Sequence, residues 1–266
     1  MNGKLLSIII WISAVVIMPA EKYYVTFVKG KVINQKTQKI LKVGDALNPE
    51  DKLVFGDRTA KVSFISPGKG RFDVNSDVAK PNAQNELLAV LKSSLVPASS
   101  TYHLSTRSLT FEGYDPATYF SSGPTSDRIL LIRSEVLPIK LSYKLDASNF
   151  FFIQFSSDGK TITRKVDQTE NGLMFSDRLF QTGSGAIVER VNLCYQSNAS
   201  GAARSSVVAS FVPVLADKDD VLIQVNLLKT MLDITDKTVL KAELTNHVFD
   251  NYGKIGAEEL SRLFGI

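Results

Sequence analysis

Turn-forming dipeptides cut this chain into pieces too short for most helices. Gly44-Asp45, Gly56-Asp57, the run Pro67-Gly68-Lys69-Gly70, Asp158-Gly159 and Asn171-Gly172 each stand between segments whose residues alternate apolar and polar. Glycine reaches the positive φ that tight turns need, and Asn or Asp can bond the local backbone, so these pairs are hairpin signals. Alternation with a period of two puts one side of a strand on a core and the other in water. Residues 23–33 (YYVTFVKGKVI), 39–47, 51–55, 58–66 and 70–74 read as short strands, predicting a small β-sandwich or barrel over residues 21–80. Residues 128–136, 138–145, 150–157, 160–168, 172–177, 186–197 and 205–215 resume the pattern and predict an immunoglobulin-like β-sandwich over residues 128–216, without its disulfide.

The order of short motifs in the first β region carries a family resemblance. Gly30-Lys31-Val32, Leu41-Lys42-Val43-Gly44-Asp45, Asp51-Lys52-Leu53, Ala60-Lys61-Val62-Ser63-Phe64 and Phe72-Asp73-Val74 follow one another over residues 25–75. The stretch resembles the FecR-like β-domain. The resemblance covers about a fifth of the chain and implies an envelope or periplasmic module of the kind found in signalling and surface-complex proteins. FecR regulators carry an anti-sigma segment ahead of their membrane span. Here only Met1–Lys4 precede the apolar run, a departure from that pattern which puts sigma-factor regulation in doubt while leaving the expected fold unaffected.

Two segments do not read as strands. Residues 1–20 carry a single charge, Lys4, and Leu5–Ala20 is an uncharged run of 16 residues. As a helix it would be roughly 24 Å long, short of the roughly 30 Å hydrocarbon core. A basic start, an apolar middle and Ala20 before Glu21 predict a signal peptide, with a short membrane anchor as the alternative. Either way the protein is expected to be exported, periplasmic or held on a membrane facing outward. At the other end, Asp217, Asp219 and Asp220 predict a helix start by capping and dipole. Val221, Val225, Leu228 and Leu232 then share a helical face. A second helix starts at Thr235 or Asp236, runs through Leu240, Leu244 and Val248 and ends at Gly253, and a third covers residues 257–264. Between the β regions, Leu87, Leu88, Leu91 and Leu95 predict a helix, followed to Asp127 by a connection packed with Tyr102, Phe111, Tyr114, Tyr119 and Phe120.

Hydrophobic residues make up 44% of the 266, enough for real cores and too many for extensive disorder. The net charge of +4 is graded, +5 over residues 21–80 and −3 over residues 217–266. The lysines stand singly between apolar residues, without the clusters and interleaved aromatics of a nucleic-acid surface. One cysteine excludes an internal disulfide and, with two histidines, argues against zinc.

Catalytic and cofactor motifs fail one by one. Around Gly253, a calcium loop would need oxygen ligands where Val248 and Tyr252 stand, although Asp250 and Glu259 fit. The two glycines of TGSGAIVE lack the third of a dinucleotide loop. His103 and His247 have no nucleophile and acid nearby in sequence, Asp115 and Asp127 sit in ordinary turn contexts, and Asn198-Ala199-Ser200 is a glycosylation triplet. The expectation is a non-enzymatic exported scaffold or adaptor of an envelope-associated assembly, with no cofactor, metal or nucleic acid. Its protein partner is expected on the apolar tail at Leu260, Leu263 and Phe264, with Phe151 as a further contact. A carbohydrate- or peptide-binding module, using the Phe150-Phe151-Phe152 strand and the aromatic connection, is the alternative.

Overall fold

A computed structural model describes residues 21–67, 69–76, 110–111, 115–121, 126–139, 143–183, 185, 187–198 and 201–266. The leader, the helix expected around Leu87–Leu95 and most of the aromatic connection lie outside the described residues. The described chain is mainly β, with several sheets and a few helices at the C-terminal end.

The first unit holds seven strands: β1 (Tyr23–Lys29), β2 (Val32–Asn34), β3 (Lys39–Ile40), β4 (Ala46–Leu47), β5 (Leu53–Phe55), β6 (Lys61–Ser66) and β7 (Gly70–Asn75). They form a four-stranded sheet in the order β4-β1-β6-β7 and a three-stranded sheet in the order β3-β2-β5. Every strand segment expected here contributes a strand, and several glycines between them take the turn conformation. Gly30 and Gly44 take φ of +71° and +91°, values L side chains rarely adopt. Tyr23, Val25, Val32, Val62, Phe64 and Phe72 fill the core between the sheets.

A short strand, β8 (Thr110–Phe111), and a single-turn helix, α1 (Pro116–Tyr119), precede the second unit. That unit contains β9 (Arg128–Ile132), β10 (Val136–Pro138), β11 (Phe150–Ser157), β12 (Lys160–Lys165), β13 (Asp167–Thr169), β14 (Gly172–Met174), the one-turn helix α2 (Asp177–Phe180), β15 (Val191–Ser197) and β16 (Arg204–Ala216). Its main sheet runs β12-β11-β15-β16-β9, and β10-β14-β13 form a smaller one. Phe151, Ile153 and Phe155 point from β11 into one core with Leu173, Phe175, Phe180 and Phe211. Two features depart from the expected strand pattern. The β16–β9 pair is parallel. Of the strand expected over residues 138–145, only Pro138, the end of β10, is in a strand among the described residues, with residues 140–142 outside them.

The tail is α3 (Lys218–Met231), α4 (Lys237–Tyr252), β17 (Ile255–Gly256) and α5 (Ala257–Phe264), close to the expected helices. Asp236 caps α4 by accepting from the Thr238 and Val239 N–H groups. Asp217 makes no capping bond. It stands at the N-cap as expected, but its carboxylate pairs with Arg133 at 3.0 Å instead of bonding the helix N–H groups, while Asp219 and Asp220 lie in the first turn of α3. Gly253 ends α4 with φ +105°, and a Cβ there would stand 2.5 Å from the Arg128 carbonyl oxygen. Only glycine admits that approach, and it lets Lys254 bond both the Arg128 carbonyl (2.9 Å) and the Leu130 N–H (2.7 Å) beside β9. The chain then pairs β17 with β8. Among the described residues, no helix is long and apolar enough to cross a membrane.

Candidate functional site

The tail residues singled out from sequence are buried. Leu260, Leu263 and Phe264 are 1%, 5% and 2% exposed. They join Val221, Val225, Leu228, Leu244 and Val248 in a third core that also takes Phe27 and Ile65 from the first unit and Leu130, Ile132 and Ala216 from the second. The expected docking face is therefore corrected to an internal brace: those side chains join the two β units. Phe151 is buried in the second core and is likewise closed to a partner.

A polar network sits beside this brace, between α4 and strands β6 and β7. Arg71 pairs with Asp250, and Lys61 pairs with Asp73 at 3.0 Å. Asn251 Oδ1 accepts from Lys61 Nζ at 3.0 Å and from Ser63 Oγ at 3.3 Å. Asn251 Nδ2 lies 3.2 Å from His247 Nδ1, and His247 Nε2 lies 3.0 Å from Gln224 Oε1. Gln224 donates through Nε2 to the Tyr252 hydroxyl, so its Oε1 is an acceptor. This order fixes a neutral His247 with the proton on Nε2 and a lone pair on Nδ1. Burial, with the Arg71 charge second, pushes its pKa down to about 3. Burial also raises Glu243 and Asp250 above the usual carboxylate range, against the pull of Arg71.

His247 and Asp250 are tied to neighbouring side chains, while Glu243 Oε1 is buried without a hydrogen-bond partner among the described residues. Both ring nitrogens of His247 are engaged, leaving none for a substrate proton. His103 lies outside the described residues. Glu259, an acid that suited the calcium loop, is buried and accepts from the Tyr119 hydroxyl at 3.0 Å. Asp115 caps α1 and Asp127 pairs with Arg190, so the two acids have separate structural partners. Among the described residues, no group of His, Cys, Asp and Glu is placed to hold a metal ion. Cys194 is buried, which pushes its thiol pKa up and away from reactive thiolate. A polar cleft of about 250 Å³ lies between Asn34, Lys39, Asp45 and Asp51 in the first unit. Its buried groups satisfy one another: Asn34 donates to Asp51 at 3.1 Å and accepts from the Lys36 and Thr37 N–H groups.

Among the described residues, exposed apolar side chains lie on two sheet faces and singly at Ile187 and, on α3, Ile223. On the main sheet of the second unit, alternate residues of β11 carry Phe150, Phe152 and Gln154 outward, with Asn192 and Gln196 beside them on β15. Phe150 and Phe152 are half-buried, their rings 6.3 Å apart, and Lys165 Nζ stands 4.3 Å from the Phe150 ring. Val207, paired with Cys194 across the sheet, is 60% exposed. The triple-Phe strand marked this place in the sequence, but only the strand's register tells which ring faces solvent. The second face belongs to the small sheet of the first unit, where Ile40 and Val54 are 52% and 45% exposed. Comparison of the chain with family models, with curated proteins and with solved structures finds no match.

Proposed function

We propose that this protein is a non-enzymatic, exported scaffold or adaptor of an envelope-associated protein assembly. The observation that carries this reading is the brace. One apolar core takes side chains from both β units and all three tail helices, and so holds two outward sheet faces at a fixed separation. An adaptor needs that separation, and an independent pair of domains on a free linker would lack it. The partner face we assign is the outer surface of β11, β15 and β16, where Phe152 and Val207 lie in the same cross-strand row around Cys194. The leader, uncharged from Leu5 to Ala20, supports export by cleavage or by anchoring.

The first unit is read as FecR-like and the second as an immunoglobulin-like sandwich. In support of the first, the motif glycines Gly30 and Gly44 hold the turns, and the motif residues Val32, Leu41, Leu53, Val62, Phe64 and Phe72 are buried in its core. Two sheets enclosing one core support the second, with the parallel β9 as a departure from the family's antiparallel rule. A second reading draws on the same outer face: half-exposed phenyl rings next to Gln154, Asn192 and Gln196 also suit a carbohydrate or an extended peptide.

The test is affinity purification of the tagged full chain after mild cross-linking, in parallel with Val207→Asp, together with intact-mass measurement. The adaptor reading expects one defined envelope protein in stoichiometric amount, lost from the variant, and a chain that is either shortened at its N-terminus or membrane-bound. Recovery of an unaccompanied, full-length, freely soluble monomer would overturn it. Retention on immobilised glycans, abolished by Phe150→Ala, would favour the second reading.

A further inference from the structure

We propose that the outer face of the small sheet β3-β2-β5 seats the first β unit on an anionic phospholipid surface. The register builds this face. Ile33 pairs with Ile40 on one side and with Val54 on the other, so three β-branched side chains form one row across the sheet. The opposite face of the same strands, Val32, Asn34 and Leu53, is buried against the unit's core. Alternate residues share a face. Lys31, Lys42 and Lys52 flank the named strands, where the Gly56 N–H bonds the Lys31 carbonyl at 2.7 Å and the Leu41 N–H the Val32 carbonyl at 2.8 Å. Lys31 lies two before Ile33, Lys42 two after Ile40 and Lys52 two before Val54, and all three are exposed around the apolar row. A Cβ added to Gly56 would meet the Lys31 Cβ at 3.0 Å, placing the Lys31 stem over the sheet on that side. None of the three lysines is in an ion pair among the described residues. Gln35, Gln38 and Gly56, the positions that continue the three strands on the same spacing, carry no charge. Asp45 and Asp57 accept from the Lys42 N–H and from Thr59 within their own turns and remain charged, and the exposed Glu50 lies two before Lys52, so the acids stand at the margin of the face and the apolar row carries none.

The chemistry selects the occupant. A row of three aliphatic side chains is too small for a stable protein interface, which buries about 800 Å² on each partner. It suits shallow insertion at the headgroup boundary, with lysines reaching anionic lipid. A second copy of the chain would bring lysine rim against lysine rim, which like charge opposes. The unit also begins at Tyr23, directly after the uncharged run Leu5–Ala20 and two residues of linker. The inference does not depend on the adaptor reading, because the face is present whatever the second unit binds.

The experiment reads the face itself, so that leader insertion cannot imitate it. The full chain carrying Val54→Cys is labelled with a polarity-sensitive fluorophore. Cys194, 3% exposed, leaves the new thiol as the reactive one. Vesicles of phosphatidylcholine alone are compared with vesicles containing phosphatidylglycerol. The expected result is a blue shift on the mixed vesicles, reversed by salt, with no shift from a probe at Val207→Cys. The Lys31→Gln, Lys42→Gln, Lys52→Gln variant should weaken binding on the order of a hundredfold, at about fivefold per lysine. An equal shift on both vesicle types, or none on either, would overturn the proposal. So would a shift that grows with protein concentration in the absence of lipid, indicating a second copy, or one seen only with polyglutamate, indicating an acidic protein.

Discussion

At the scale of single residues, His247 shows how burial decides what an ionisable group can do. In the chain it is an ordinary histidine; in the fold both its nitrogens are bound and its pKa is pushed down to about 3, chiefly by burial. An unfolded histidine titrates near 6.5, so between those values the unfolded chain holds a proton that the folded chain refuses. The stability His247 contributes is complete above about pH 6.5 and is lost as pH falls toward 3. Glu243 and Asp250, raised by burial, act with the opposite sign, since the folded chain holds their protons more tightly. The difference between wild type and His247→Gln isolates the histidine. On going from pH 7 to 5, wild type should lose about 2 kcal/mol more than the variant, at about 1.4 kcal/mol per unit below 6.5. Urea unfolding at the two pH values measures this, and parallel pH dependence of the two proteins would contradict it. In the sequence His247 is only a histidine on a helix. Its bonding partner Gln224 lies on α3, a separate helix, and nothing in the local pattern joins them.

At the scale of elements, α4 is the least amphipathic-looking of the tail helices and the most consequential. Its apolar face, Leu244 and Val248, is legible from helical spacing. Its second buried face, with Glu243, His247, Asp250 and Asn251, is not, because polar residues at helical spacing read as solvated until a partner sheet is known. That face meets Lys61, Ser63, Arg71 and Asp73. The Arg71 side chain is only 10% exposed; its guanidinium pairs with the half-buried Asp250 and its charge also favours the ionised form of the buried Glu243. Removing one member of a buried pair costs more than replacing both, because a charge is left without a partner. Arg71→Met should destabilise the protein by about 3–5 kcal/mol, and Arg71→Met with Asp250→Leu should recover most of it. Denaturant midpoints of the single and double variants decide the matter. A further, additive loss in the double variant would show that Asp250 is not the group left stranded when Arg71 is removed.

At the scale of the whole molecule, the brace makes the two β units depend on one another. Leu244 is 1% exposed in the core that takes side chains from both. Leu244→Ala should cost about 2–5 kcal/mol. Because the loss falls on a shared core, thermal unfolding of wild type should be a single transition, with calorimetric and van't Hoff enthalpies in agreement. In Leu244→Ala the transition should move down and split as the units uncouple. A wild type that unfolds in two well-separated steps would refute the dependence.

Strand and helix locations are written in local chemistry: turn dipeptides, period-two alternation, and apolar residues three and four apart. These operate within a few residues, which is why the strands of the first unit, most of those in the second, and all three tail helices are readable from the chain. The parallel pairing of β9 with β16 is not, since parallel strands need a long crossover and carry no turn signature between them. Nor can composition tell that Leu260, Leu263 and Phe264 are covered from within. An apolar helical face calls for burial, but whether its cover is a partner or the same chain depends on which surfaces the topology brings opposite. Here Gly253, whose missing side chain lets the backbone run against Arg128, sets the path of the last segment, and α5 joins the core that α3 and α4 share with both β units. Sequence alone determined that the apolar faces would be buried; tertiary structure decided by what, and left Phe150, Phe152, Ile40 and Val54 facing outward instead.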